Sequence, residues 1–362
     1  MSCLGYIGSK KSLLEFIKNS LSNHINLNSA ELELSFSDLF AGTGVVGEYF
    51  YNNFNVKIIS NDLEYYSYII NYSKLKAIFS KKLENIILKI NNRDYKYKND
   101  ELIKKTYSPY LNCERMYFTI ENAEFIDYII SVIHNLFNEN IINNEEVIFL
   151  QASLISSLDK CANTASVYGA YLKKFKKSAE KNIILNPIHT NTILKKENIV
   201  YHKDVLDIKI KTDILYLDPP YNTRQYSSNY SQLNFILKYD KDIEIVGKTG
   251  IIKNWNRSSF CSKKTIEKSI TKILNNIDTK ILAFSYNNEG LISKEVLESI
   301  FSKFFINIKL YEKEYKKFKS NIHNNKLNVI EYLFICDNNH TKNDISNEIN
   351  LDSLTLDPKN DK

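Results

Sequence analysis

From residue 36 to residue 80, short apolar runs alternate with stretches whose apolar residues recur every three or four positions. That is the pattern of βαβ units feeding a parallel sheet. A first amphipathic helix, with Leu13, Leu14 and Ile17 on one face, follows the glycine-bearing loop Gly5-Tyr6-Ile7-Gly8-Ser9-Lys10. A strand then runs from Phe36 into a Gly-X-Gly turn at Gly42 and Gly44, a helix covers 45–51, and a strand at 56–60 ends in Asn61-Asp62. A helix at 78–90 places Ile78, Leu83, Ile86, Ile87 and Ile90 together. Between 91 and 181 the signals are helical only, at 124–137, 144–158 and a short piece at 170–177. Strand patterns resume at 199–201 and 213–217, a polar and aromatic loop from 223 leads into a helix ending at 238, and 240–264 reads as loop. A helix at 264–278, a strand at 280–286 and an antiparallel pair at 306–311 and 329–336 complete the pattern. From 337 onward the chain is polar and aperiodic, and disorder is expected there.

The sequence therefore predicts an α/β protein interrupted by a helical insertion. Its boundaries are 1–90 for the first part of the main domain, 91–195 for the insertion, 196–336 for the second part and 337–362 for the tail. At 362 residues, 43% hydrophobic and 25% charged, the chain can fill one large core with a smaller subdomain. The net charge of +6 permits a polyanionic partner. With only 9 glycines and 5 prolines, and Lys, Asn and Ile abundant, we read an A·T-rich coding bias, so part of the lysine excess is compositional. The 5 cysteines and 6 histidines are scattered, which indicates neither a disulfide framework nor a metal site. No apolar run reaches membrane-spanning length and no signal peptide is recognised, so a cytoplasmic protein is expected.

The densest chemistry lies in Asp213-Ile-Leu-Tyr-Leu-Asp-Pro-Pro-Tyr221. A continuous apolar run is typical of a strand buried on both faces. This one ends on Asp218, Pro219, Pro220 and Tyr221. Tandem prolines fix φ and remove two donors, which leaves Asp218 and the Pro219 carbonyl as rigid acceptors beside an aromatic face. Such a trio suits a planar base carrying an exocyclic amine, although Asp-Pro-Pro is also ordinary turn chemistry. The upstream turn at Gly42 and Gly44 lacks the Gly-Lys-Ser/Thr of a phosphate loop. Asp62, after the second strand, is placed either to bind a ribose hydroxyl or to cap a helix.

Taken together and in this order, the segments Tyr6-Ile-Gly-Ser-Lys10, Asp38-Leu-Phe-Ala-Gly-Thr-Gly44, a helical insertion and Asp218-Pro-Pro-Tyr221 resemble the D12 (Dam-like) class of adenine-N6 DNA methyltransferases over roughly residues 4–335. The resemblance implies a Rossmann-like seven-stranded sheet whose last strand is antiparallel, S-adenosylmethionine as cofactor, and the insertion as target-recognition domain. It implies Asp218, Pro219 and Tyr221 at the target adenine. It also implies cofactor contacts from Tyr6, Lys10, Asp38, Phe40, Gly42, Gly44, Asp62, Asp204, Val205 and Asp218. Duplex DNA is the implied partner, with a cognate restriction endonuclease acting at the same site. Arg224 and Tyr226 beside the pocket, with Lys173 and Lys174 in a basic run at the end of the insertion, are the candidates for gripping DNA. The alternative for Arg224 is a structural ion pair, and the lysines can equally form a solvated face. The alternatives are an amine methyltransferase of the same fold acting on RNA or a protein glutamine, and a DNA-binding module without catalysis.

Overall fold

The computed structural model describes residues 4–5, 8–28, 33–165, 167–188, 197–315 and 329–338. A short 3-10 turn at Lys10–Leu13 leads into α1 (Leu14–Ser22), then β1 (Leu34–Asp38), α2 (Val45–Asn53), β2 (Val56–Asp62), α3 (Tyr65–Lys76) and α4 (Lys81–Asn91). The insertion supplies α5 (Leu102–Tyr107), α6 (Ile120–Asn138) and α7 (Asn144–Leu158). The sheet continues with β3 (Ile199–His202) and β4 (Ile210–Leu217), followed by α8 (Tyr226–Lys238) and a two-stranded ribbon of β5 (Ile245–Val246) and β6 (Ile251–Ile252). Helix α9 (Ile266–Asn276), β7 (Ile277–Asn287), α10 (Lys294–Phe301), β8 (Asn307–Tyr315) and β9 (Val329–Asp337) end the described fold.

Seven strands form one sheet in the order β3-β2-β1-β4-β7-β9-β8. The first five are parallel, and β9 runs antiparallel between β7 and β8. Side chains alternate faces along a strand. In β4, Ile214 and Tyr216 accordingly pack with Phe36, Phe50 and Ile58 on the α1–α2 side. Leu215 and Leu217 pack with Ile270, Ile273, Leu297 and Phe301 from α9 and α10 on the other. That double burial is why this strand reads as an unbroken apolar run. The insertion does not stand apart: Ile126, Ile129, Phe149 and Ile155 share one core with Tyr66 and Ile69 of α3, Ile87 of α4 and Tyr230 of α8.

The structure departs from the predicted elements in several places. Residues 170–177 are not helical, because Leu172 and Lys176 donate backbone N–H groups to the backbone and side-chain oxygens of Asn163. Ile78 lies before α4 and is exposed, since Ser80 caps that helix through the Leu83 amide. The polar stretch from 226 belongs to α8, whose Asn229 and Tyr230 are buried. Short α5 and α10 carry too few turns to have stood out. Asp337, expected to open the tail, is the buried last residue of β9. The tail beyond 338 lies outside the described residues.

Candidate active site

From β1 the chain moves to β2 on one side, whereas β4 leads to β7 on the other, so the strand order reverses between β1 and β4. Open α/β sheets hold ligands at the carboxyl ends of strands flanking such a reversal. Here those ends carry Asp38 and Asp218. The turn after β1 requires its glycines: Gly42 and Gly44 have φ of 52° and 72°. A Cβ on Gly44 would also run into the side-chain carbonyl of Asn71. Asn71 cannot easily yield, because its amide donates to the Gly42 carbonyl at 2.9 Å and its carbonyl accepts from Ser60 Oγ at 3.0 Å.

At the end of β4 Lys10 is buried, 3% exposed, with its ammonium 3.1 Å from Asp218 Oδ1 and 3.6 Å from Glu331 Oε2. The same ammonium donates to Tyr221 Oη at 3.4 Å. Burial alone would pull the lysine down, but Asp218, Tyr221 and Glu331 outweigh it and hold the ammonium well above the ordinary lysine range. Burial pushes the Asp218 carboxyl up, and Lys10 and Ser285 oppose it. Tyr221 is half-buried and stands edge-on to Tyr286, ring centroids 5.8 Å apart. Its carbonyl accepts from the Leu291 amide at 2.9 Å, which fixes the loop after the prolines.

A cleft runs from this cluster past Phe40 to the ends of β2 and β3. One lobe is lined by Lys10, Asp38, Phe40, Gly42, Tyr216 and Asp218. The other is lined by Phe40, Asp62, Glu64, Asp204, Val205, Asp218, Pro220 and Tyr226. Asp62 is fixed by two amides, Gly42 N–H at 2.8 Å and Glu64 N–H at 2.9 Å, one on each oxygen. Ser67 also interacts with this carboxylate, and the residue at the α3 N-cap is Glu64 rather than Asp62. Asp204 accepts from the Leu206 amide at 3.0 Å and opens a 3-10 turn, so it serves as turn residue and cleft wall together. Asp38 is buried and, among the described residues, its Oδ1 has no hydrogen-bond partner. Burial, with Asp218 and Asp62 nearby, pushes the Asp38 carboxyl up to about 8.

The sequence reading missed Glu64, Ser258 and Glu331, whereas Gln225 belongs to the loop expected beside the pocket. Glu64 accepts from Ser227 Oγ and from Asn234 Nδ2 of α8, and Asn256 Nδ2 approaches it at 3.3 Å. Gln225 and Ser258 exchange two hydrogen bonds, of 3.0 and 2.7 Å. The segment around Trp255, whose ring carries the Arg257 guanidinium at 5.2 Å, is thereby strapped to the rim of the cleft. Glu64 lies only two residues past Asp62, a signal that could have been read. Glu331 gave none, because it sits inside a strand chosen for its apolar run.

Of the residues expected to grip DNA, Tyr226 is the first residue of α8 and lines the cleft. Arg224 is exposed and, among the described residues, its side chain makes no ion pair. Lys173 and Lys174 are exposed at a bend in the non-helical segment that follows α7. Tyr6 lies outside the described residues. Among the described residues no group of His, Cys, Asp or Glu is arranged to hold a metal, and no helix is long and apolar enough to cross a membrane.

Comparison with known proteins agrees with this geometry. The family model of the D12 class N6 adenine-specific DNA methyltransferases matches residues 6–300. The type II methyltransferase M.CviAII of Paramecium bursaria Chlorella virus 1 is 39% identical over 92% of this chain and 98% of its own length. M.NlaIII of Neisseria lactamica is 38% identical over 92% and 98%. M.FokI of Planomicrobium okeanokoites is 35% identical over 91% of this chain but only 52% of its own, so this chain corresponds to about half of that protein. A family match across most of the chain, joined to an Asp-Pro-Pro-Tyr strand end facing a glycine turn across one cleft, makes this chain a member of the D12 class N6 adenine-specific DNA methyltransferases.

Proposed function

We propose that Asp218 and the Pro219 carbonyl accept the two hydrogens of a flipped adenine amine while Tyr221 stacks on the base. Adenine N6 is a poor nucleophile, its lone pair delocalised into the ring. Two acceptors on its hydrogens draw the nitrogen toward tetrahedral geometry and favour the charge that develops on it during attack. S-adenosylmethionine, the methyl donor that the family implies, supplies an electrophilic methyl carbon on a sulfonium. The cleft fits that molecule in its donor set. Asp62 lines the cleft as a fixed carboxylate able to accept from a ribose diol, and the buried Asp38 Oδ1, lacking a partner among the described residues, is an acceptor suited to a cationic group. Gly42, Gly44 and Phe40 would shape the methionine end, Asp204 and Val205 the adenine end, and Lys10 the junction with the catalytic cluster. A base inside a duplex reaches such a pocket only by leaving the stack, and stacking on an aromatic ring contributes roughly 1–3 kcal/mol.

The insertion at 91–195 is our candidate for target recognition, with Arg224, Lys173 and Lys174 on the DNA backbone. Relatives named type II methyltransferases, and one named Modification methylase LlaI, support a role as the modification enzyme of a restriction–modification pair, with a cognate endonuclease cutting the same sequence. The observation that carries the reading is the continuity of one cleft from Asp218 to Asp62. Modification-sensitive sequencing of DNA from cells expressing the chain tests it. N6-methyladenine confined to one short sequence, and absent with Asp218→Ala, is the expected result. Methylation that survives Asp218→Ala would remove Asp218 from the mechanism.

A further inference from the structure

The Lys10 ammonium is shared between two carboxylates. Asp218 lies at the end of β4, and Glu331 comes from β9, the reversed strand, where it is paired with Asn287 of β7 and Lys313 of β8. Glu331 is 8% exposed and lies beyond residue 300, where the family match ends. A buried ammonium is held only by compensating negative charge, and one carboxylate would suffice for neutrality. With Asp218 alone, however, the ammonium would compete with the target amine for the oxygens that the reaction needs. A second carboxylate within reach changes that balance, because it gives the ammonium another place to go.

We propose that Glu331 is a positioning residue for methyl transfer: it takes up the Lys10 ammonium as the target amine engages Asp218, leaving that carboxylate free to accept from N6. This inference rests on the assignment of Asp218 as the amine acceptor. The lysine keeps its proton throughout and no covalent bond changes, so only hydrogen bonds are exchanged. The geometry permits it: Nζ sits within 3.6 Å of all three oxygens of Asp218, Tyr221 and Glu331, so a shift of a fraction of an ångström changes its principal partner. Burial pushes the Glu331 carboxyl up, with Lys10 opposing and Asp218 adding to the rise, which fits two acids competing for one cation.

The test is single-turnover methylation of a duplex carrying the recognition sequence, with separate measurements of S-adenosylmethionine and DNA affinity and of melting temperature. Glu331→Gln keeps the shape and removes the charge. We expect its single-turnover rate to fall tenfold or more while both affinities stay within about twofold and the melting temperature matches the parent. Glu331→Asp, which restores the charge on a shorter arm, should recover part of the rate. A Glu331→Gln rate within twofold of the parent would overturn the proposal. A loss matched by weaker binding or lower melting would overturn it too, as would Glu331→Asp performing no better than Glu331→Gln. Asp218→Ala run alongside separates the two claims. If it is inactive while Glu331→Gln behaves as the parent, only the Glu331 inference fails. If Asp218→Ala remains active, the underlying site assignment fails.

Discussion

Two buried aspartates, one in the helical insertion and one at the carboxyl end of a central strand, show what separates scaffold from site. Asp127 of α6 accepts from the Ile103 amide at 2.8 Å, the Lys104 amide at 2.9 Å and Tyr239 Oη at 2.7 Å. It thereby caps the first turn of α5, where the N-terminal amides have no partners within the helix. Asp38 is as deeply buried but leaves Oδ1 without a partner among the described residues, and it shares its surroundings with Asp218 and Asp62. Burial pushes both carboxyls up. The insertion satisfies its acid with three donors, although Glu101 adds like charge nearby. The cleft gathers acids and leaves acceptor capacity unspent, a cost in stability that a ligand can offset.

The sharpest way to break the comparison is to exchange the consequences of two substitutions. Asp218→Asn keeps the volume and removes the charge of the carboxylate proposed to face the target amine. Its kcat should fall by about 10²–10³-fold or more, the scale of a lost transition-state hydrogen-bonding group, with melting barely changed. Asp127→Ala should do the opposite. It strands two amides and a phenol, and should destabilise the fold on the order of 2–3 kcal/mol in chemical denaturation, with kcat of the folded fraction retained. If both substitutions moved both quantities together, the division between scaffold and site would not hold.

A smaller effect concerns the Asp38 proton. Its carboxyl titrates near 8 in the folded chain, against 3.8 for an ordinary aspartate. The folded state therefore binds more protons than the unfolded state between those values, and this contribution to stability is lost as pH rises through that window. Asp38→Asn mimics the protonated acid, so its melting temperature relative to the parent apoprotein should rise from pH 4 to 8 and then level off. A pH-independent difference would show that the Asp38 carboxylate is already ionised at low pH. Smallest of all is the electrostatic contribution of the insertion's edge. Lys173→Ala with Lys174→Ala should weaken DNA binding and reduce the slope of log affinity against log salt by up to about two, leaving cofactor affinity and single-turnover rate at saturating DNA unchanged. An unaltered slope would assign these lysines to a solvated face.

Legibility in the sequence followed how local each signal was. The β1 turn and the β4 strand end were visible because glycine, proline and a double-sided apolar run act on their own neighbours. Helix α8 began within a stretch read as loop because Asn229, Gln232 and Asn234 are polar yet buried. They are satisfied by partners far along the chain, such as Glu64 for Asn234 and the Thr249 carbonyl for Gln232. Residues 170–177 carried a helical pattern but were captured by hydrogen bonds to Asn163, a non-local competitor that periodicity does not register.

What the chain by itself determined was the α/β alternation, the helical stretch that interrupts it, and the two strand ends at Gly42–Gly44 and Asp218–Tyr221, since each rests on contacts among residues close in sequence. The tertiary structure alone decided that Lys10, Asp218 and Glu331 meet, across separations of 208 and 321 residues. It also decided which carboxylates keep an acceptor in reserve. Strand order and burial set both outcomes: β9 enters the sheet beside β7 rather than at the edge, and the low-dielectric end of the sheet then forces one ammonium and two acids to share a single pocket.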